Sequence, residues 1–337
     1  MEPKPLITGA GPAAAAAMLG AMQALSKQGR GSTARDADAL AAAARYCFGI
    51  ALPQPLADSG PAELAEALAG TPLGLDAVKL LTVMATIDPP ADDGKFAAVA
   101  TYAEALGIHA RFLDELAAAA QHQLAAALAD MTRANMDSLL HYSWAGPDVL
   151  AWLTPYRTAP DLALAARFEA LGGLAAQSFG HLYWRHFKQN GFAFPGDPGA
   201  LNVAFAGPHD TVHVLTGYDT TGGGEILVST FTAGMHRDNP VSGHILPAIF
   251  SWHLGLEING VAKSGAGGLD PQEVWRAWAA GAAAPTDTFA AGWDFWAVCE
   301  MDIAVVRAQI GLPAEGLRPG NTTWPDDMAL QIRIAGQ

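Results

Sequence analysis

At 337 residues the chain is long enough for two domains of ordinary size or one large one, and 51% apolar with 15% charged content describes an ordered protein with a substantial core. The formal net charge is −14, with nine Lys/Arg against sixteen Asp/Glu up to residue 150 and ten against seventeen beyond it. No basic stretch can neutralise a row of phosphates or grip an anionic membrane surface, which argues against nucleic-acid partners and leaves only apolar contact with lipid.

Ala, Leu and Gly dominate and β-branched residues are few, a balance that favours helix over sheet. The expected fold is all-α, in two helical domains, 1–150 and 151–337. In chain order, helices are expected over 12–27, 34–48, 61–69, 75–87, 95–106 and 110–133, separated by breaks such as Gln28-Gly29-Arg30-Gly31-Ser32. A boundary is expected within 140–162, where Gly146-Pro147 and Thr154-Pro155 interrupt the pattern. Beyond it a helix is expected over 162–190, a short one around residue 209, then 225–234, 241–257 and 288–310. Asp270-Pro271-Gln272-Glu273 reads as a helix start with a capping box. Cys47 and Cys299 are far apart and read as buried apolar residues rather than a disulfide. The apolar stretch 12–25 lacks the flanking positive charge of a signal peptide, and no run reaches the length of a spanning helix. The cytoplasm is the expected location.

Chemistry concentrates in Pro208-His209-Asp210-Thr211-Val212-His213. On a helix the two imidazoles stand about 40° apart in rotation and about 6 Å apart along the axis, so they can share one ion. Past Gly217 and a Gly222-Gly223-Gly224 loop, Glu225 opens the next helical segment and can turn its carboxylate onto the imidazoles. Two His with one or two carboxylates suit a divalent metal, zinc first, with iron or manganese as alternatives. The competing account is a pair of partly buried, hydrogen-bonded histidines. Asp210 occupies the place of the general base in the H-E-x-x-H metalloprotease helix but is one methylene shorter, which disfavours peptidase chemistry. It can complete the coordination or stand beside the metal as a proton acceptor. His181, His186, His244 and His253 read as structural or groove-lining, and His236-Arg237-Asp238 as a local turn network. No P-loop, dinucleotide fingerprint or nucleophile elbow is present.

The unbroken pattern H-D-x-x-H-x11-E, made by His209, Asp210, His213 and Glu225, resembles the signature of the ubiquinone (coenzyme Q) biosynthesis family of the Coq-four type. His213-Val214-Leu215-Thr216-Gly217-Tyr218 and Gly224-Glu225-Ile226 are similar to that family's helix and return segment. The resemblance implies a metal-binding protein acting on a prenylated quinone precursor or other isoprenoid lipid, removing the ring carboxylate and hydroxylating the same carbon. The rival reading is a non-catalytic protein that binds a prenylated lipid or, as a scaffold, organises other biosynthetic enzymes, with the metal as a structural clip. Peripheral contact with the inner membrane and a homodimer are compatible with either. A prenyl tail needs an apolar groove, for which Phe250, Trp252, Leu254, Trp275, Trp278, Trp293 and Trp296 are candidates, although such residues at helical spacing more often form plain core. In the N-terminal half, the Asp-rich turn, Glu104 and the Leu106-Gly107-Ile108 ending resemble a TerB-like helical domain of tellurite-resistance proteins. That resemblance nominates Asp88, Asp92, Asp93 and Glu104 for metal binding; the simpler expectation is that Asp92 and Asp93 cap a helix.

Overall fold

A computed structural model describes residues 4–121, 123–140, 149–256 and 265–318. The described residues are helical, with no strand among them beyond two isolated bridges, Ser178 with Asp302 and Leu254 with Ala266. The α-helices are α1 Pro12–Ser26, α2 Ala34–Phe48, α3 Pro61–Ala67, α4 Gly74–Ala85, α5 Asp93–Ala105, α6 Arg111–Ala120, α7 Leu124–Leu140 and α8 Val149–Leu153. They continue as α9 Leu162–Glu169, α10 Phe179–Asn190, α11 Val203–Thr216, α12 Gly222–Met235, α13 Leu246–Trp252, α14 Glu273–Ala282, α15 Phe295–Val298 and α16 Ile303–Gln309. A π-helix, Pro240–Ile245, leads into α13. Among the described residues no helix is long and apolar enough to cross a membrane.

Local chemistry explains most starts and stops. Thr33 and Asp36 close a reciprocal capping box on α2, and Gly49 ends it in the left-handed conformation. Asp92 caps α5 by accepting from the amides of Gly94 and Lys95. Where expectation and structure differ, a polar side chain or glycine contact has intervened. The single helix expected over 288–310 is two, because Asp294 and Asp302 each cap a new start. Residues 110–133 divide near Gln121 into α6 and α7. Asp270 accepts from the amides of Gln272 and Glu273, but α14 begins only at Glu273, whose carboxylate binds Arg276 instead of closing the box. The triple glycine is the first turn of α12 rather than a loop. A Cβ on Gly224 would lie 1.9 Å from the Asp219 carbonyl, and one on Gly222 would lie 3.2 Å from the Trp252 ring.

The largest apolar core runs across residue 150. It joins α1, α2, α4 and α5 to Ile226, Ile249, Phe250, Val274 and Trp275. Polar clamps reinforce the contact. His253 Nε2 donates to the Ile87 carbonyl while its Nδ1 accepts from the Leu269 amide, and Arg35 reaches both carbonyls, Ile87 and Leu269. A second core lies around Phe179, Phe231, Val228 and Val306, and a third gathers Phe168, Tyr183, Phe187 and Phe194. Cys47 and Cys299 are both buried and free.

Candidate metal centre and its cavity

Three helices build the site. α11 starts at Asn202, whose side chain accepts from the Ala204 amide, and it tolerates Pro208 internally at the loss of one backbone hydrogen bond. His209 and His213 follow on one face. Gly217, at φ 80°, stops the helix and turns the chain toward α12, where Thr221 caps the start. Glu225 sits in the first turn of α12, where the helix dipole favours a carboxylate. The far end of α11 is held by Arg307 of α16, which is buried and donates to the carbonyls of Leu215, Val214 and Ala314.

The sequence-predicted residues divide. His209, His213 and Glu225 bring three ligand atoms within 4.8 Å of one another. His209 Nε2 is 3.2 Å from His213 Nε2 and 3.1 Å from Glu225 Oε2, and His213 Nε2 is 3.5 Å from Glu225 Oε1. Ligands about 2.0–2.2 Å from a tetrahedral ion are roughly 3.3–3.6 Å apart, so these spacings need little adjustment to enclose one. The Nδ1–H of His213 donates to the Tyr218 carbonyl at 3.0 Å, which presents Nε2 as the coordinating nitrogen. Phe205 stacks on His209 at 5.2 Å and restricts its ring. Burial opposes a charge on His213, but the Glu225 carboxylate outweighs it and pushes the imidazole up to about 9. Burial likewise works against an ionised Glu225, and the His213 and His209 imidazoles more than offset it, holding the carboxyl well below its ordinary range. The field that draws a proton to this spot would also draw a divalent cation.

Asp210 does not join that triad. It is buried, and its Oδ1 accepts from His186 Nε2 of α10 at 2.9 Å, with the His186 ring stacked on His213 at 5.3 Å. His186 is the neighbour that sequence reasoning placed among structural histidines. The available signal was Asn190, four residues on and therefore on the same helix face, whose amide donates to the His186 carbonyl and whose Oδ1 accepts from Thr220. Burial keeps His186 below its ordinary pKa despite Asp210.

His209, Asp210 and Glu225 line a cavity of about 670 Å³, within the range of small-molecule sites. Its apolar wall includes Met131, Met136, Leu153, Phe187 and Phe192. Of the aromatic groove candidates only Trp252 lines it. Phe250, Trp275 and Trp278 are buried in the main core, Trp275 and Trp278 stacked 6.2 Å apart. Leu254 packs beside them, Trp293 lies against the second core and Trp296 against Phe168. These residues follow helical spacing because they seal helix contacts.

Two of the acidic residues nominated in the N-terminal half, Asp88 and Asp92, are engaged otherwise. Asp92 caps α5 and accepts from the Arg30 amide, while Asp88 accepts from the Thr33 hydroxyl and pairs with Arg35 and Lys95. His236 pairs chiefly with Asp287 at 2.7 Å rather than within its own turn, and His181 faces the Gly172 carbonyl. No protein-family model matches the chain, and no curated protein or solved structure is significantly similar to it.

Proposed function

We propose that the chain is a metal-dependent protein that binds an apolar, oxygenated small molecule, and that this ligand is a prenylated ring precursor of the kind its H-D-x-x-H-x11-E pattern implies. The observation that carries the reading is the convergence of His209, His213 and Glu225, two of which, His209 and Glu225, line a mainly apolar cavity. Three protein ligands leave a coordination position for water or substrate, as catalytic zinc sites do and closed structural sites do not. A bound divalent ion would supply Lewis-acid polarisation of a ligand oxygen. Around it, Asp210 and His186 form a hydrogen-bonded pair at the cavity edge, placed to hold or pass a proton, and the apolar wall excludes water. Loss of a ring carboxylate with hydroxylation at the same carbon is the reaction the motif suggests: the ring–carboxyl bond breaks with release of CO2, a ring–oxygen bond forms at that carbon, and the two electrons released would pass to dioxygen as co-substrate.

Elemental analysis of the purified full chain, paired with turnover of a ring-carboxylated prenyl substrate in the presence of dioxygen, tests this. The expected result is about one metal per chain, with Glu225→Gln folded but devoid of metal and turnover. If Glu225→Gln keeps its metal, the centre is misassigned. If it loses metal and fold together and the wild type converts nothing, the scaffold alternative takes its place.

A further inference from the structure

The cavity has a second polar wall that the metal-centred reading leaves unused. His244 stands on the π-helix Pro240–Ile245, an element that often marks functional positions. It follows Asn239, which has a positive φ of 46°, unusual for a residue with a side chain. The turn presses against α7 so closely that a Cβ on Gly243 would lie 3.0 Å from the Ala134 carbonyl. This placement brings the buried His244 ring to the cavity wall, with Nε2 2.7 Å from the buried Ser138 hydroxyl of α7. Ser138 is itself fixed from behind. Its carbonyl accepts from His236 Nε2 at 3.1 Å, and the other nitrogen of His236 donates to Asp287 at 2.7 Å. Phe289 packs edge-on against His244 and also lines the cavity.

With Nε2 engaged by Ser138, Nδ1 is the polar atom the ring can offer an occupant. Burial, reinforced by His236, keeps His244 neutral, its pKa pushed down to about 3. A neutral imidazole backed by a hydroxyl is adaptable. When Ser138 donates to Nε2, Nδ1–H is a donor; when Nε2–H donates to Ser138, Nδ1 is an acceptor. The pair therefore suits both a carbonyl and a hydroxyl oxygen, the two states of a quinone-type ring.

We propose that His244, backed by Ser138, is a second recognition point that reads a hydroxyl or carbonyl oxygen of the cavity's ligand, while another oxygen of the same ligand faces His209, His213 and Glu225. The ligand class is then an apolar ring compound with two separated oxygen functions. This rests on the metal-dependent reading above.

The test is calorimetric titration of the zinc-loaded full chain with 3-decylbenzoate and with its 4-hydroxy and 5-hydroxy forms. At least one hydroxylated probe should bind about threefold to tenfold more tightly than the parent, the worth of one hydrogen bond. His244→Phe should erase that preference while still taking up zinc. In the wild type the favoured probe should shift the His244 ring-nitrogen resonances and the parent should not, a readout that needs no folded variant. Equal affinity for all three probes, binding of none, or a preference that survives in His244→Phe overturns the proposal. A wild-type chain that takes up no zinc overturns the metal-dependent reading instead, and is recognised before any probe is added.

Discussion

Two clusters of charged side chains invite the same guess from sequence and are built in opposite ways. In the N-terminal half, Asp36, Asp88 and Asp92 face cations: Lys95 Nζ lies 2.9 Å from Asp36 and 3.7 Å from Asp88, and Arg30 lies 3.7 Å from Asp92. Around residue 209, two imidazoles and a carboxylate face one another, and among the described residues no Lys or Arg is paired to them. A carboxylate already neutralised by a fixed cation has little to offer a metal. Converging donors without one make a site. The difference lies in what stands across from each acid, which residue type alone does not reveal.

Removing one member from each cluster should separate them. The largest effect is on the triad: His213→Ala should take bound metal from about one per chain to background and abolish the rise in melting temperature that added zinc gives the wild type. A variant that still shows the full zinc-dependent shift would mean the ion sits elsewhere. In the other cluster, Lys95→Met leaves the buried Asp36 without its cation and should cost about 3 kcal/mol in denaturant unfolding, with metal content unchanged. An unfolding curve that barely moves would show the pair to be expendable.

Glu115 is an intermediate case, a buried carboxyl whose cation Arg111 lies 4.0 Å away. Burial, aided by Asp130, pushes it up to about 8 from an ordinary 4.5. Because the folded chain then holds a proton that the unfolded chain releases, its contribution to stability is full below about pH 4.5 and is lost as pH rises toward 8. Each unit of displacement is worth about 1.4 kcal/mol, so a loss on the order of 5 kcal/mol is expected across that window. Glu115→Gln should flatten the profile, and an unchanged slope would assign it to other groups. The smallest effect belongs to Asp210→Asn. With Asp210 bonded to His186 rather than to the triad, zinc affinity should fall by less than about tenfold, below the usual loss when a residue hydrogen-bonded directly to a metal ligand is removed. Complete loss of zinc would make Asp210 a ligand after all.

Helix identity was legible wherever capping residues and apolar spacing agreed, as at Thr33–Phe48, and the His209–His213–Glu225 triad could be anticipated from helix geometry. What escaped depends on contacts distant in sequence. His186 acquires its place through Asp210, twenty-four residues on, and Ser138 meets His244 across 106 residues. The glycines at 222–224 suggested looseness because composition records the missing side chain but not the Asp219 carbonyl and Trp252 ring that require it. Tryptophans 275 and 278 show the converse: aromatic spacing reports that a helix face is covered, not whether a neighbour or a ligand covers it.

The clamps at Arg35 and His253 bear on how the protein can be divided. Both secure carbonyls on either side of residue 150, over a core that neither side completes alone. A chain severed near that residue should yield two fragments with large apolar faces, each insoluble by itself and rescued by co-expression with the other. The halves would then behave as a split reporter, recovering zinc uptake only when both are supplied.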